Sequence, residues 1–292
     1  MTIADQAALL PRIRSALPGL RRSEVRIAEA FLADPASSAG LSMSEIAALC
    51  DTSTTTVMRF GKRMGYESFR DLRIDLAREA TRESLGTTAR PLDTGDIDRE
   101  DSLDDVIAKI TLNETLSISD TAENLDRGAL RAAIDAIVGS RRIDLFGVGA
   151  SSVVRLDLQQ KLSRIGSTAF GWDDAHAAWT SASVLDAECV AIAISHSGTT
   201  RDTLSYLELA RRAGARTIAI TNFAASPVAE AADIVLTTAA RENKFRSGAL
   251  GSRIAQLMVV DCLFTGIVQA SYERSTAALT RTYSAIVESG AR

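Results

Sequence analysis

The sequence predicts an all-α helical bundle followed by an α/β domain with a doubly wound, five-stranded parallel sheet. Two patterns in the chain support this prediction. Residues 1–80 carry apolar side chains at helical spacing. From residue 142 onward, short β-branched runs alternate with helical segments, and such strands are buried on both faces of a parallel sheet. The length of 292 residues also fits two domains.

The charged residues divide the chain in the same way. Residues 1–80 carry a balance of +1, from 11 basic and 10 acidic side chains, whereas residues 81–292 carry −5. Residues 81–102 are rich in Thr, Gly, Asp and Arg and lack an apolar period, which predicts a linker. We therefore expect domains at 1–80 and 103–292, the second with leading and trailing helices.

Composition and cysteine usage predict a soluble protein of the cytoplasm. The chain is 46% hydrophobic and 24% charged, values typical of globular domains. No apolar run approaches the ~18 residues of a membrane span, and the first residues lack the basic-then-apolar order of a signal peptide. The three cysteines, Cys50, Cys189 and Cys262, are scattered without a CxxC pair. This usage argues against a disulfide framework and against zinc, so we expect no cofactor and no metal.

The helices and strands are predicted from apolar periodicity and from breakers such as Pro18-Gly19 and Asp34-Pro35. In the first domain, helices are predicted near residues 8–17, 23–34, 43–50, 53–65 and 68–80. In the second, helices are predicted at 103–138, 151–165, 174–184, 200–213, 226–231 and 249–271. Strands are predicted at 142–148, 167–172, 189–195, 216–221 and 233–238. In the flavodoxin-like strand order 2-1-3-4-5, the loops after the first and third strands meet at the topological switch point.

Residues 43–65 have the anatomy of a helix-turn-helix. Ile46 on the first helix can pack against Val57 and Phe60 on the second. From residue 53 to residue 66 there are three basic side chains and no acidic one, so this near-neutral domain contains a positive patch. A solvated helix hairpin, with its basic residues placed to suit the helix dipole, is the alternative. The predicted DNA-binding residues are Ser53, Thr54, Thr55, Thr56, Arg59, Lys62 and Arg63.

Two loops rich in glycine and hydroxyl side chains follow predicted strands and open predicted helices. They are GVGASS, residues 147–152, and SHSGTT, residues 195–200. Helix N-termini beside such loops favour an anion, and neither loop completes a dinucleotide fingerprint or a P-loop. The loops therefore indicate a phosphomonoester on a small hydroxylated molecule, with ordinary helix capping as the alternative. The predicted ligand residues here are Gly149, Ser151, Ser152, Ser195, His196, Ser197, Gly198, Thr199 and Thr200.

Both regions resemble known families. Residues 41–79 are similar to the N-terminal helix-turn-helix of RpiR/MurR-type bacterial regulators. That match is carried by Ser53, Thr56, Val57, Arg59 and Phe60, followed by KRMGY and SFRDLR. The chain departs from the pattern at Gly61, where the family often has Cys. Residues 130–270 resemble the sugar isomerase (SIS) domain, whose SxSGxT loop is matched at residues 195–200 and whose first-loop serine is matched by Ser151. The order of the two regions is that of an RpiR/MurR-type regulator.

The resemblance implies a transcriptional regulator, expected to be a repressor of sugar or amino-sugar catabolism. It implies two partners, operator DNA and a phosphosugar effector. The segments DAH and SRIAQL are most similar to members that respond to amino-sugar phosphates such as N-acetylmuramic acid 6-phosphate. The same resemblance implies that Glu242 faces the sugar hydroxyls and that Ser247 lies near the pocket. One small helix-turn-helix contacts few bases, so we expect a homodimer or homotetramer that reads two half-sites, with no membrane involved.

The alternative is a SIS-type aldose–ketose isomerase, which needs a general base. His196, His176 and Glu242 are the residues considered for that role. A stand-alone isomerase needs no helix-turn-helix, so we predict a sensor rather than an enzyme. Asp173 and Asp174 beside His176 also suggest a metal site, but no further ligand is clustered with them in the sequence.

Overall fold

The computed structural model describes residues 9–85, 99–242 and 249–290. The contacts of the chain divide it into two compact units, Met1–Asn124 and Leu125–Arg292. The helix at residues 103–124 packs within the first unit, whereas the predicted second domain starts at residue 103. Most of the predicted linker lies outside the described residues, so the placement of the domain boundary stays a prediction.

The first unit is helical throughout its described residues. It contains a short 3-10 turn at Leu17–Gly19 and the helices α1 (Leu9–Ala16), α2 (Arg22–Ala33), α3 (Pro35–Gly40), α4 (Met43–Leu49), α5 (Thr54–Arg63), α6 (Phe69–Leu85) and α7 (Leu103–Asn124). Phe31 of α2 and Phe60 of α5 meet edge to face at the centre of its core, with ring centroids 5.8 Å apart. Ile13, Ile46 and Leu72 are buried around them, so one apolar core holds five of these helices together.

Two helix boundaries differ from the sequence prediction, and both differences come from capping. Asp34-Pro35 is not only a stop, because the Asp34 side chain accepts a hydrogen bond from the Ser37 amide and begins α3. Proline suits this position, since the first helical residue needs no amide hydrogen bond. The single helix predicted at 103–138 is two helices, since Asp126 caps a new one through the amides of Gly128 and Ala129.

The second unit contains the predicted α/β fold. Its elements are α8 (Arg127–Gly139), β1 (Arg142–Gly147), α9 (Ala150–Arg164), β2 (Ala169–Trp172), α10 (Ala175–Ala182), β3 (Cys189–Ile194), α11 (Arg201–Arg212), β4 (Arg216–Thr221), α12 (Pro227–Glu230), β5 (Ile234–Thr237), α13 (Leu250–Ala270) and α14 (Tyr272–Gly290). The five strands are parallel and ordered β2-β1-β3-β4-β5, which confirms the predicted fold class and strand order.

The sheet is buried on both faces, as its continuous apolar strands predicted. Along β3, Val190, Ile192 and Ile194 pack into the core beneath α8, α9 and α13. The alternating residues, Ala191 and Ala193, pack on the other face with α10 and α11. Gly147 at the end of β1 pairs with Ile194 at the end of β3, so the loops that follow these two strands start side by side.

Helix α13 is the one described helix that is long and apolar enough to cross a membrane by length and composition. In this structure it packs against the sheet, with Val259, Val260, Leu263 and Ile267 in the apolar core. A helix that is apolar on most of its surface is expected to bury that surface, and the packing of these residues against the sheet accounts for the apolar sequence of α13.

Candidate functional site

The turn between α4 and α5 is held in place by side chains on both sides. Ser42 and Glu45 form a capping box at the start of α4, and Ser53 accepts a hydrogen bond from the Thr56 amide at the start of α5. Arg26 of α2 donates to the backbone carbonyls of Cys50 and Asp51 inside the turn. The two helices therefore have a fixed geometry, as a helix-turn-helix requires.

Helix α5 presents most of the predicted DNA-binding residues to solvent. The exposed members of the predicted set are Ser53, Thr54, Thr55, Arg59, Lys62 and Arg63. Thr55, Arg59 and Lys62 follow one another at helical spacing and lie on one face. Thr56 differs from the prediction, because it is buried and its hydroxyl lies 3.0 Å from the Ser53 hydroxyl. Its role in this structure is to secure the start of α5 rather than to reach a phosphate.

A buried carboxylate lies behind this surface. Glu24 of α2 accepts hydrogen bonds from Arg59 Nε at 2.9 Å and from Arg63 Nη1 at 3.4 Å. Burial raises the pKa of Glu24, but hydrogen bonds from the Arg21 amide and Arg59, with the charges of Arg59 and Arg63, outweigh burial and leave the pKa below its ordinary value. Glu24 could not be predicted from the sequence, because nothing in the local pattern pairs it with residues 35 and more positions away.

The loop after β1 brings Ser151 into the interior of the second unit. A Cβ on Gly147 would lie 3.0 Å from the Ile194 carbonyl oxygen, so only glycine lets the chain pass there without displacing β3. Ser151, in the first turn of α9, is buried, and its hydroxyl lies 3.4 Å from Gln256 Oε1. The Ser152 hydroxyl donates to the Gly149 carbonyl at 2.7 Å and secures the same turn.

The loop after β3 is a compact arrangement of hydroxyl groups. The Ser195 hydroxyl accepts a hydrogen bond from the Gly198 amide at 3.1 Å and lies 3.2 Å from the Thr200 hydroxyl. The Ser197 hydroxyl accepts from both the amide and the hydroxyl of Thr199. Five of the predicted ligand residues therefore make hydrogen bonds within this loop, in two groups: Ser195, Gly198 and Thr200 form one, and Ser197 and Thr199 form the other.

The segment that follows β4 supports the loop after β3 through backbone hydrogen bonds. The amide of Asn222 donates to the His196 carbonyl at 3.0 Å, and the amide of Val228 donates to the Gly198 carbonyl at 3.0 Å. The buried His196 ring packs edge to face against Phe223, with centroids 5.7 Å apart. His196 thus holds the loop through its backbone and its ring packing, a structural contribution that needs no proton transfer.

The two helices that start at these loops lack side-chain caps. Within the described residues, α9 is preceded by Gly149, which has no side chain to cap it, and the Thr200 side chain makes no capping hydrogen bond at the start of α11. Asp126 and Asp174 do cap the neighbouring helices α8 and α10. Uncapped amides and the positive end of the helix dipole are features that bind anions, and here two such helix starts follow adjacent strands.

The start of α13 carries further polar groups of the candidate site. Glu242 accepts a hydrogen bond from the Ser252 amide at 2.6 Å, so its carboxylate lies at this helix start. One turn further on, Gln256 is buried, and its Nε2 atom has no hydrogen-bond partner among the described residues. Its contact with Ser151 joins α13 to the start of α9, directly after the loop that follows β1. The two residues are 105 positions apart, and no pattern in the sequence predicts their contact. Ser247 lies outside the described residues.

The acidic cluster after β2 has partners that account for it. Asp173 pairs with the buried Arg155 of α9, and Asp174 caps α10 through the Ala177 amide at 2.9 Å. His176 is exposed, and its ring lies tilted against that of Trp179, with ring centroids 5.3 Å apart. The described residues include no group of three or more His, Cys, Asp or Glu placed to hold a metal ion.

Comparison with known proteins identifies the family. A model of the rpiR-family helix-turn-helix domain matches residues 7–83, and a model of the SIS domain matches residues 136–266. An HTH-type transcriptional regulator of Caldanaerobacter subterraneus is 38% identical over 264 residues, covering 90% of this chain and 92% of that protein. The chain belongs to the RpiR family of HTH-type transcriptional regulators. YbbH of Bacillus subtilis, a regulator of the same type, is 32% identical and covers 96% of each chain.

One solved structure of a similar protein matches almost the whole of this chain, and another matches its sugar isomerase region. NanR of Vibrio vulnificus, solved in complex with ManNAc-6P, is 26% identical with a TM-score of 0.60, and the match covers 96% of this chain and 98% of NanR. The sugar isomerase domain of an RpiR transcription factor from Sphaerobacter thermophilus is 25% identical with a TM-score of 0.56, over 61% of this chain and 97% of that one. The resemblance of these regions to an RpiR-type regulator is therefore confirmed.

Replacing Gly198 with alanine should destabilise the second unit by about 2 kcal/mol or more. Gly198 has a φ of +64°, and a Cβ there would lie 2.0 Å from the Ser226 hydroxyl. Gly139, where a Cβ meets nothing within 4 Å, is the matched control, and Gly139→Ala should leave stability nearly unchanged. Urea unfolding measures both variants. Equal stability of Gly198→Ala and the parent chain would contradict the described loop conformation.

Proposed function

We propose that this RpiR-family regulator binds a phosphosugar at the carboxyl ends of β1 and β3, and that this effector controls DNA binding by α5. The observation that carries the proposal is the pair of hydroxyl-rich loops on adjacent strands, each of which opens an uncapped helix. In open parallel sheets, ligands bind at this switch point. The chain supplies the arrangement twice, side by side, which suits the several oxygens of one phosphate group.

The phosphate-binding groups are proposed from the residues that the structure brings together. Ser195, Ser197 and Thr200 offer hydroxyls from the loop after β3. Ser151 offers a hydroxyl from the start of α9, and the amide group of Gln256 lies next to it. A dianionic phosphate accepts hydrogen bonds from all of these donors and is also stabilised by the dipoles of α9 and α11.

The proposed effector is an N-acylated amino-sugar 6-phosphate. NanR, which matches this chain along almost its whole length, was solved in complex with ManNAc-6P. Glu242 lies at the start of the same helix as Gln256, where its carboxylate has the chemistry to accept hydrogen bonds from sugar hydroxyls. N-acetylmuramic acid 6-phosphate belongs to the same chemical class and is the second candidate.

We further propose that the chain is a regulator and not an isomerase. The named relatives that cover most of its length are transcriptional regulators. A protein of Listeria monocytogenes described as a sugar-phosphate isomerase matches at 23% identity with a TM-score of 0.55, which shows the fold alone. We propose that the chain acts in the cytoplasm as a repressor of amino-sugar catabolism. We also propose that it is a homodimer or homotetramer, because paired helix-turn-helix units read two half-sites.

A thermal-shift measurement tests the effector class. At about 100 times its dissociation constant, ManNAc-6P or N-acetylmuramic acid 6-phosphate should stabilise the chain by about 2.7 kcal/mol. Unphosphorylated N-acetylmannosamine should have no effect at the same concentration. Ser197→Ala should weaken binding about tenfold or more, because it removes a hydrogen bond to a charged group.

Ser163→Ala, an exposed serine near the end of α9, is the matched control for this measurement and should bind as the parent chain does. Nuclear magnetic resonance of the chain incubated with glucose 6-phosphate, an aldose phosphate with a hydroxyl group on C2, should show unchanged sugar. Equal binding of phosphorylated and unphosphorylated sugars would contradict the proposed phosphate site, and conversion of glucose 6-phosphate to a ketose phosphate would favour the isomerase.

Lys62 tests the DNA-binding face of α5. Lys62 is exposed on that helix, and Lys62→Ala should weaken binding to a duplex selected by the parent chain and reduce the slope of log affinity against log salt by about one per protein subunit. Arg78→Ala, which removes the same charge from the exposed side of α6, is the control and should leave the slope unchanged. Fluorescence anisotropy at several salt concentrations measures both. Identical slopes for Lys62→Ala and the parent chain would exclude this face.

A further inference from the structure

We propose that Glu24 is a positioning residue that fixes the guanidinium group of Arg59 for DNA recognition, and that it gives Arg63 a structural role instead of an equal share in that recognition. This inference rests on the proposed DNA binding by α5. On this proposal Arg59 contacts DNA, whereas Arg63 holds α5 to the neighbouring elements of the first unit.

Both carboxylate oxygens of Glu24 accept hydrogen bonds. Its side chain is 1% exposed, yet Oε1 accepts a hydrogen bond from Arg59 at 2.9 Å. The other oxygen, Oε2, accepts from the Arg21 amide at 3.0 Å and from Arg63 at 3.4 Å. A carboxylate with so little contact with water is stable only when donors replace the water, and here two arginines of α5 supply most of them.

Arg59 uses one edge of its guanidinium group for this contact and keeps the rest available. Only Nε is bonded to Glu24, and its two Nη atoms make no other hydrogen bond to the described residues. The side chain is 46% exposed, on the same face as Thr55 and Lys62. Two parallel N–H groups are the fork with which arginine binds phosphate or guanine, so Glu24 leaves the recognition atoms of Arg59 unoccupied.

Arg63 is bonded through both of its terminal nitrogens. Nη1 donates to Glu24, and Nη2 donates to the Gly19 carbonyl at 2.6 Å. The residue therefore joins α5 to α2 and to the Leu17–Gly19 turn at once. Two of the five N–H groups of Arg63 are used in this way, against one in Arg59, and the two contacts restrain the Arg63 guanidinium group from turning towards DNA.

Positioning has a thermodynamic consequence for binding. A free arginine side chain loses rotamer freedom when it binds, whereas a side chain already restrained by a buried partner loses that freedom during folding. The negative charge of Glu24 compensates one of the two positive charges, so the arginines stay close together without strong mutual repulsion. Removing Glu24 should therefore weaken DNA binding even though it removes a negative charge, which is the reverse of the effect expected from long-range electrostatics alone.

A double-mutant cycle on the full chain tests the proposal. The variants are Glu24→Gln, Arg59→Ala and the combination, and the probe is a duplex that the parent chain selects from a random library. Glu24→Gln should weaken binding to this duplex about tenfold when Arg59 is present and less than twofold when residue 59 is alanine. An equal loss in both backgrounds would overturn the proposal, because a merely structural role for Glu24 does not depend on Arg59.

A second comparison keeps Glu24 intact and covers the case in which Glu24→Gln does not fold. Arg59→Met and Arg63→Met both retain an apolar stem. Arg59→Met should weaken DNA binding tenfold or more, whereas Arg63→Met should weaken it less than threefold, although both should lower the melting temperature because each removes a donor from the buried Glu24 carboxylate. The reverse order would overturn the proposal. A parent chain that selects no duplex would contradict the DNA-binding function itself, and this inference with it.

Discussion

The parallel pairing of β1 with β3 is the constraint on which the candidate ligand site depends. Because Gly147 and Ile194 are partners in the register, the chain leaves both strands at the same edge of the sheet. Gly147 is required there, since a Cβ would press against the Ile194 carbonyl. Everything that follows, from the buried Ser151 to the hydroxyl network of residues 195–200, is placed by this one pairing. The supporting contacts from Asn222 and Val228 then fix the second loop from the neighbouring strand.

In the first unit, the buried charge of Glu24 links the candidate DNA-binding helix α5 to the apolar core. Its apolar core positions α2 against α5, and Glu24 then connects the exposed face of α5 to that core. The charged carboxylate, with its pKa lowered by its hydrogen-bonding partners, stays ionised at neutral pH. Because the pKa of Glu24 is lowered in the folded chain, its contribution to stability is present above the ordinary pKa of a glutamate and is lost as the pH falls through the lowered pKa. Neutral pH therefore keeps both arginines in place.

The sequence predicts elements that have a local pattern, such as strands and loops, but it does not predict contacts between residues that are distant along the chain. Five strands follow from apolar periodicity and both serine loops from glycine placement, the strand order is expected from the flavodoxin-like fold class, and the structure has all of these. The contacts of Glu24 with Arg59 and of Ser151 with Gln256 leave no periodic signal, because they depend on how separate helices pack. Thr56 shows a third kind of difference. Its residue type suits DNA contact, but its position in the first turn of α5 favours a hydrogen bond to the capping serine instead.

The central claim is that occupation of the switch point changes DNA affinity, and one measurement tests it most directly. Binding of the full chain to its selected duplex should be measured while ManNAc-6P is titrated to saturation, for the parent chain and for Ser197→Ala. The proposed repressor should lose at least tenfold in DNA affinity when the sugar phosphate binds, because the coupling between the sites is a free energy shared by both ligands. Ser197→Ala should need about tenfold more ManNAc-6P than the parent chain for the same loss of DNA affinity. Unchanged DNA affinity of a parent chain shown to be saturated with the sugar phosphate would contradict the claim.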